Sequence, residues 1–232
     1  MTILIRKSAE RGYADRGWLQ SWHSFSFGDY QDPRHMGFRV LRVLNEDVIA
    51  PGRGFGPHGH RDMEILTYML AGKLRHRDSM GEERTLGENE VQAMSAGTGV
   101  VHSEFNASAA EPSHSVQIWI EPASEDVAPA YRQIAFGSGE KRGRLRLLAA
   151  PHANDPAAAT IHQDARLYVT EVAPGDVVTA TLLPGRHAWV QVLRGEVLLG
   201  EGRLGRGDGA AISGEPQIPI RGEGEVLLFD LP

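Results

Sequence analysis

Apolar positions along the chain come in short bursts cut by Gly, Pro and Asp. Phe38–Val43, Ile65–Leu70, Val116–Ile120, Leu167–Val172, Trp189–Leu193 and Val226–Phe229 are each of strand length, rich in β-branched or aromatic residues, and bounded by turn formers. No window keeps a helical period of apolar residues beyond two turns, so the pattern predicts short helices only around Pro129–Arg132 and near Trp18–Trp22. Many short strands with Gly-rich turns predict an all-β barrel or sandwich.

Ile65–Gly72 (ILTYMLAG) and Ala188–Gly195 (AWVQVLRG) are alike: a strand that ends in Leu-x-Gly and then turns back. Past each lies another Gly-turn segment, Gly87–Ala93 and Gly207–Ile212. They are either copies of one unit about half a chain apart or the chance likeness of two strand–turn pairs in a β protein. The polar run Gly137–Gly143 (GSGEKRG) marks the expected boundary, giving domains 1–136 and 137–232.

Composition narrows the function. At 232 residues the chain is long enough for a large buried core. Lys+Arg 24 against Asp+Glu 30 gives a net charge of −6, the wrong sign for tracking a phosphate backbone, so no direct nucleic-acid partner is expected. With Cys 0, disulfides, thiolate zinc sites, iron–sulfur clusters and Cys nucleophiles are excluded, and any metal site must use His, Asp and Glu. The N-terminal MTILIRK carries too short an apolar run for a signal peptide, and no stretch approaches the ~18 apolar residues of a membrane span. A cytoplasmic monomer without membrane contact is expected.

The strongest chemical signal is His58-Gly-His60 followed by His102-Ser-Glu104. Side chains at i and i+2 of a strand share a face, so two such strands can aim four ligands into one cavity. Imidazoles with one carboxylate suit Fe(II), Mn, Ni, Cu or Zn and leave coordination positions for a chelating substrate or dioxygen. The flanking Gly97-Thr-Gly99 turn strengthens the reading.

These residues resemble the two motifs of the cupins. The first reads Gly52-x5-His58-x-His60-x3-Glu64-x7-Gly72, and the second reads Gly97-x-Gly99-x2-His102-x3-Asn106. Two departures are a first motif one residue longer before Gly72 and Gly97 where proline is usual. Within the cupins the chain is similar to the pirin-like proteins across Gly17–Phe27, Asp32-Pro33, His58–Leu70, His76–Gly81, Met94–Glu104 and Leu227–Pro232. The resemblance implies a bicupin, two double-stranded β-helix (jelly-roll) barrels packed together, with a metal-binding N-terminal pirin domain and a degenerate C-terminal cupin. It places the metal on His58, His60, His102 and Glu104, and Glu64, a ligand in many other cupins, remains the competing carboxylate. The implied cofactor is one divalent transition-metal ion, with Fe placed first and Cu, Mn, Ni, Co and Zn compatible.

Aligned on Gly72/Gly195, the second half puts Thr181, Leu183 and His187 at the positions of His58, His60 and Glu64, and reads Ile218–Gly222 (IPIRG) near those of His102 and Glu104, so no metal is expected there. His76, His114, His152 and His162 are read as hairpin or loop residues. His23 and His35 lie in aromatic-rich segments near the expected pocket, for which Phe25, Phe27, Phe38, Phe55 and Phe105 are candidate walls. The similar proteins imply a quercetin 2,3-dioxygenase-like activity on a flavonol-like aromatic, opening the heterocycle with O2 and releasing CO, with Glu104 as the catalytic base. A second class, also implied by the resemblance, is a non-enzymatic metal- or redox-sensing regulator that binds a partner protein.

Overall fold

The structure, a computed structural model, describes residues 2–151 and 156–232. His152 lies outside the described residues. Among these, twenty strands follow in chain order: β1 Thr2–Arg6, β2 Gly12–Asp15, β3 Leu19–His23, β4 Leu41–Ile49, β5 Gly54–His60, β6 Glu64–Ala71, β7 Leu74–Asp78, β8 Glu83–Leu86, β9 Glu90–Ser95, β10 Val100–Asn106, β11 Ser113–Ile120, β12 Ala130–Ala135, β13 Arg146–Ala150, β14 Ala159–Thr160, β15 Arg166–Val172, β16 Val177–Thr181, β17 His187–Leu199, β18 Gly202–Gly205, β19 Gly209–Ser213 and β20 Gln217–Leu231. The described residues form no α-helix, and no helix among them is long and apolar enough to cross a membrane.

Both segments expected as helices are strands. Leu19, Ser21 and His23 are buried in alternation with their neighbours, a period of two that fits a sheet with one face inward. Ala130–Ala135 pairs along its whole length with β9, Ala130 opposite Ser95 through Ala135 opposite Glu90. Cross-strand pairing outweighs the local propensity of an Ala-containing run.

The chain divides into two compact units. The first, residues 12–136 with 159–163, is a barrel of two facing sheets ordered β12-β9-β6-β11-β4-β3-β2 and β5-β10-β7-β8. Its apolar core includes Leu19, Ile49, Met69, Leu74 and Leu86 at one end and Ile65, Met94, Ala96 and Val100 at another. The short return segment is tied to this barrel by Gln163 Nε2 donating to the Glu121 carbonyl and by the Ala123 amide donating to that of His162.

The second unit, residues 1–11, 137–158 and 164–232, runs β1-β19-β17-β20-β15-β13, with β16 on β20 and β18 on β17. Its core is almost wholly aliphatic, from Val172 and Val178 through Val190 and Ile212 to Leu228. The N-terminal strand therefore belongs to this barrel, pairing with β19 from Thr2–Ser213 to Arg6–Gly209, with Ile3 packed on the core.

The two units repeat one wiring. In the first, β6 pairs with β9 and β11, β11 with β4, and β10 with β5 and β7. In the second, the opening half of β17 pairs with β19 and the closing half of β20, β20 with β15, and the opening half of β20 with β16 and the far end of β17. Long strands β17 and β20 thus do singly what β6–β7 and β10–β11 do as pairs. Gly72 and Gly195 occupy the same corner: both have φ near +70°, and a Cβ on either would run into the backbone of the neighbouring strand, at Pro112–Ser113 and Glu223–Gly224. The likeness of ILTYMLAG and AWVQVLRG reflects this shared position.

Candidate functional site

The site grows from the pairing of β5 with β10. His58 stands opposite His102, but Glu104 stands opposite Phe55, so three steps along β5 match two along β10. The extra residue is a β-bulge in the Phe55-Gly-Pro57-His58 stretch, a place that tolerates a proline because no ladder amide is required there. Gly54 lies so close to β10 that a Cβ would collide with the Glu104 carbonyl and Phe105. These features bring the imidazole ring centroids of His58 and His102 to 4.5 Å, and those of His58–His60 and His60–His102 to 4.8 Å. Their candidate ligand nitrogens lie within 4.8 Å of one another.

Hydrogen bonds fix which nitrogen each ring offers. The Gly56 carbonyl can only accept, so His58 Nδ1 donates to it at 2.8 Å and its Nε2 keeps the lone pair. On the other flank of β10, strand β7 places Asp78 opposite His102 and His76 opposite Glu104. Asp78 accepts from the amides of Met80 and Glu82 on Oδ1 and from His76 Nε2, at 2.9 Å, on Oδ2. That leaves the lone pair of His76 on Nδ1, which faces His102 Nδ1 at 3.5 Å. His102 consequently presents its Nε2, an atom that is buried and has no hydrogen-bond partner in the protein. An orphaned imidazole lone pair beside two others is the arrangement a metal ion would satisfy.

Burial and the neighbouring rings hold His60 down to about 4 and His102 down to about 2. Both are neutral at physiological pH, the metal-binding form.

Glu104 is outside the three-histidine cluster and forms a second one with His76 and His102, so His102 joins the two. Its carboxylate reaches across the barrel to the other sheet. Oε1 accepts from Gln92 Nε2 at 2.6 Å and from Thr67 Oγ1 at 3.4 Å, while Oε2 accepts from Gln117 Nε2 at 2.6 Å. Burial raises Glu104 to about 7, with the negative charge of Asp47 adding to the rise and the three donors opposing it.

Glu64 goes elsewhere. Ile65 lines the cavity, so alternation turns Glu64 to the other face of β6. There it accepts from Ser95 Oγ at 2.7 Å and lies 3.3 Å from His162 Nδ1.

His58, His60, His102 and Glu104 line a cavity of about 500 Å³. Its walls include Tyr13, Trp18, Phe27, Tyr30, Phe55 and Trp119. Trp18 meets Phe55 edge-on at 5.3 Å, and His60 meets Trp119 at 4.9 Å. Of the phenylalanines singled out from sequence, Phe27 and Phe55 line the cavity, whereas Phe25 is buried in the core. His23 also lines it and His35 does not. His114 bonds Glu46 at 2.9 Å, and His187 bonds Ser213 at 2.7 Å. His76, read from sequence as a hairpin residue, is fully buried in β7 beside His102. His76-Arg-Asp78 repeats the i, i+2 spacing of His58-x-His60 and His102-x-Glu104, a signal the sequence carried. Asn45, Asp47 and Gln117, also in the lining, had no motif to mark them.

In the second barrel, the register Thr181–Gln217 and Val178–Ile220 corresponds to His58–His102 and Phe55–Glu104 in the first. The residues there are Thr181, Gln217 and Ile220, and Leu183, at the position of His60, is 68% exposed.

A duplicated β-barrel with an imidazole cluster lining one barrel's cavity defines a two-domain cupin. The chain belongs to the pirin family: residues 5–120 match the Pirin family model, and residues 147–231 match that of the quercetinase C-terminal cupin domain. It is 44% identical over 232 residues to a quercetin 2,3-dioxygenase of Escherichia coli K12, covering 99% of both chains. It is 39% identical to a pirin-like protein of Caulobacter vibrioides, covering 98% of this chain and 99% of that one. The crystal structure of YhhW from Escherichia coli superimposes with a TM-score of 0.95 at 44% identity, covering 100% of this chain and 98% of that one. The structure of YhhW in complex with nickel(II) gives a TM-score of 0.94 at the same identity, covering 100% and 99%.

Proposed function

We propose that this protein is a metal-dependent dioxygenase resembling quercetin 2,3-dioxygenase, cleaving the heterocycle of a flavonol-like substrate with O2 and releasing CO. The observation that carries the reading is the orphaned Nε2 of His102, set among two further imidazoles in an aromatic-walled cavity. The names of the relatives and the nickel(II) complex of YhhW support it. His58, His60 and His102 would hold one divalent transition-metal ion, Fe being our first choice, with Glu104 as a weaker fourth ligand. The metal-binding domain is the first unit, residues 12–136 with 159–163, so the expected boundaries 1–136 and 137–232 shift by the N-terminal strand and the short return segment, and the second unit carries no metal.

Bound there, the metal would supply Lewis acidity and an open position for a chelating 3-hydroxy-4-ketone. The protein's own groups do the rest. Trp18, Phe27, Phe55 and Trp119 surround a flat ring system and exclude water from it. Glu104, with its proton affinity raised toward neutrality, accepts the proton of the substrate hydroxyl. Gln92, Thr67 and Gln117 hold its carboxylate in place as it does so. The deprotonated substrate is the electron-rich form that reacts with O2.

Elemental analysis of protein purified without added metal, followed by oxygen uptake with quercetin, tests the reading. About one metal per chain and oxygen consumption matched by CO release are expected. Metal-loaded protein that takes up no oxygen with any flavonol would sink the dioxygenase reading and leave a metal-binding regulator.

A further inference from the structure

One row of polar side chains crosses the inner face of the large sheet of the first barrel. In register, His23 of β3 lies opposite Asn45 of β4, Asn45 opposite Gln117 of β11, Gln117 opposite Thr67 of β6, and Thr67 opposite Gln92 of β9. Such a row is costly in a barrel interior unless each member has a partner. The Gln92–Thr67–Gln117 half is explained, because all three donate to Glu104. The Asn45 half is not.

Gln117 must turn its Nε2 toward the Glu104 carboxylate, so its Oε1 points away; this atom is buried and has no hydrogen-bond partner. Asn45, one strand further from Glu104, is 3% exposed, and its Oδ1 is likewise buried without a partner. Two residues along the same strand face, Asp47 lines the cavity with its carboxylate and has already drawn the Ser21 hydroxyl onto itself. The cavity wall beyond Glu104 therefore carries two polar side chains, Asn45 and Asp47, flanked by aromatic rings. A ligand whose hydroxyl groups meet these side chains gains hydrogen bonds there that one without them does not.

We propose that Asn45 and Asp47 are specificity-determining residues that hydrogen-bond hydroxyl groups on the part of an aromatic substrate lying beyond Glu104. The chelating end of the substrate faces the histidines, and its second, donor-bearing end is read by this wall. The inference rests on the dioxygenase reading for the orientation of the substrate, but the wall itself can be tested without metal.

The experiment measures binding to metal-free protein by ligand fluorescence, comparing 3-hydroxyflavone with quercetin, which carries further hydroxyls. Wild-type protein should bind quercetin about 10-fold more tightly, the ratio that one to two net hydrogen bonds supply. Asn45→Leu should bring the two within about threefold while leaving the affinity for 3-hydroxyflavone unchanged, which also shows that the variant is folded. Equal binding of the two flavonols by wild type, failure of both to bind, or a full preference retained in Asn45→Leu would overturn the proposal. Absence of oxygen uptake by metal-loaded protein would instead count against the dioxygenase reading and leave this binding result standing.

Discussion

Glu104 rests both carboxylate oxygens against glutamine amides at 2.6 Å in an interior that favours its protonated form. Glu104→Gln keeps the shape, removes the proton acceptor and turns one amide against the donors of Gln92 or Gln117. Flavonol turnover should fall about 10²–10⁴-fold, the contribution of a general base. The three histidines should retain metal, so elemental analysis beside turnover separates loss of the base from loss of the site. Unchanged turnover per bound metal would refute the base role. His76 acts through His102. It accepts from His102 Nδ1 and is itself oriented by Asp78, so His76→Phe should weaken nickel(II) binding about 10–100-fold by titration calorimetry, the usual effect of losing an outer partner of a metal-binding histidine. His76→Gln, which keeps an acceptor, should lose less. The paired spacing of His58-x-His60 and His102-x-Glu104 was legible in the sequence because a strand's period of two converts it directly into geometry. Asn45 and Gln117 were not legible, because their significance comes from neighbours on other strands, brought together only by register.

Strand β5 shows how an element carries the site. Its bulge aims His58 at His102, and Gly54 lets it lie close against β10. Gly54→Ala would force the two strands apart, at a cost of about 1–3 kcal/mol typical of an overpacked position. Thermal melts should show lowered stability, and nickel(II) affinity should fall because His58 and His102 separate. Gly56→Ala, two residues on with open space around it, should change stability by under about 0.5 kcal/mol and so serves as the control. Equal effects of the two substitutions would refute the close-approach argument. Hydrophobic patterning found most strands, since each buries one apolar face. It misplaced β4, where the apolar run Phe38–Val43 ends just as the strand Leu41–Ile49 gets under way. The rest of that strand turns Asn45 and Asp47 toward the cavity, and a wall built to meet a ligand does not carry the apolar alternation of a wall built to meet the core. The segment Leu19–His23 was misread for the same reason, its inward Ser21 and His23 hiding the period of two.

Across the whole molecule the two barrels share one wiring yet bury different interiors. The second fills its core with aliphatic side chains, whereas the first keeps Asp47, Glu104, His76 and Asp78 in its interior. The topological duplication was legible through the matched Leu-x-Gly corners, but the exchange of β1 into the second barrel was not, because a strand's own pattern does not name its partner. The polar interior of the first barrel makes stability depend on pH. Burial raises Asp47 from 3.8 to about 6, despite its bond from Ser21. A carboxyl whose folded-state value lies above its unfolded one binds its proton more tightly when folded. Its favourable contribution is therefore complete below about pH 3.8 and is lost as pH rises through about 6. The rise corresponds to about 3 kcal/mol. Asp47→Asn cannot ionise and avoids this loss. In metal-free protein, denaturant melts should show the variant more stable than wild type at pH 7.5, by up to about 3 kcal/mol, with the advantage shrinking steadily toward pH 4. An advantage that stays constant from pH 4 to 7.5 would mean that Asp47 does not titrate in this range and that the substitution acts through packing.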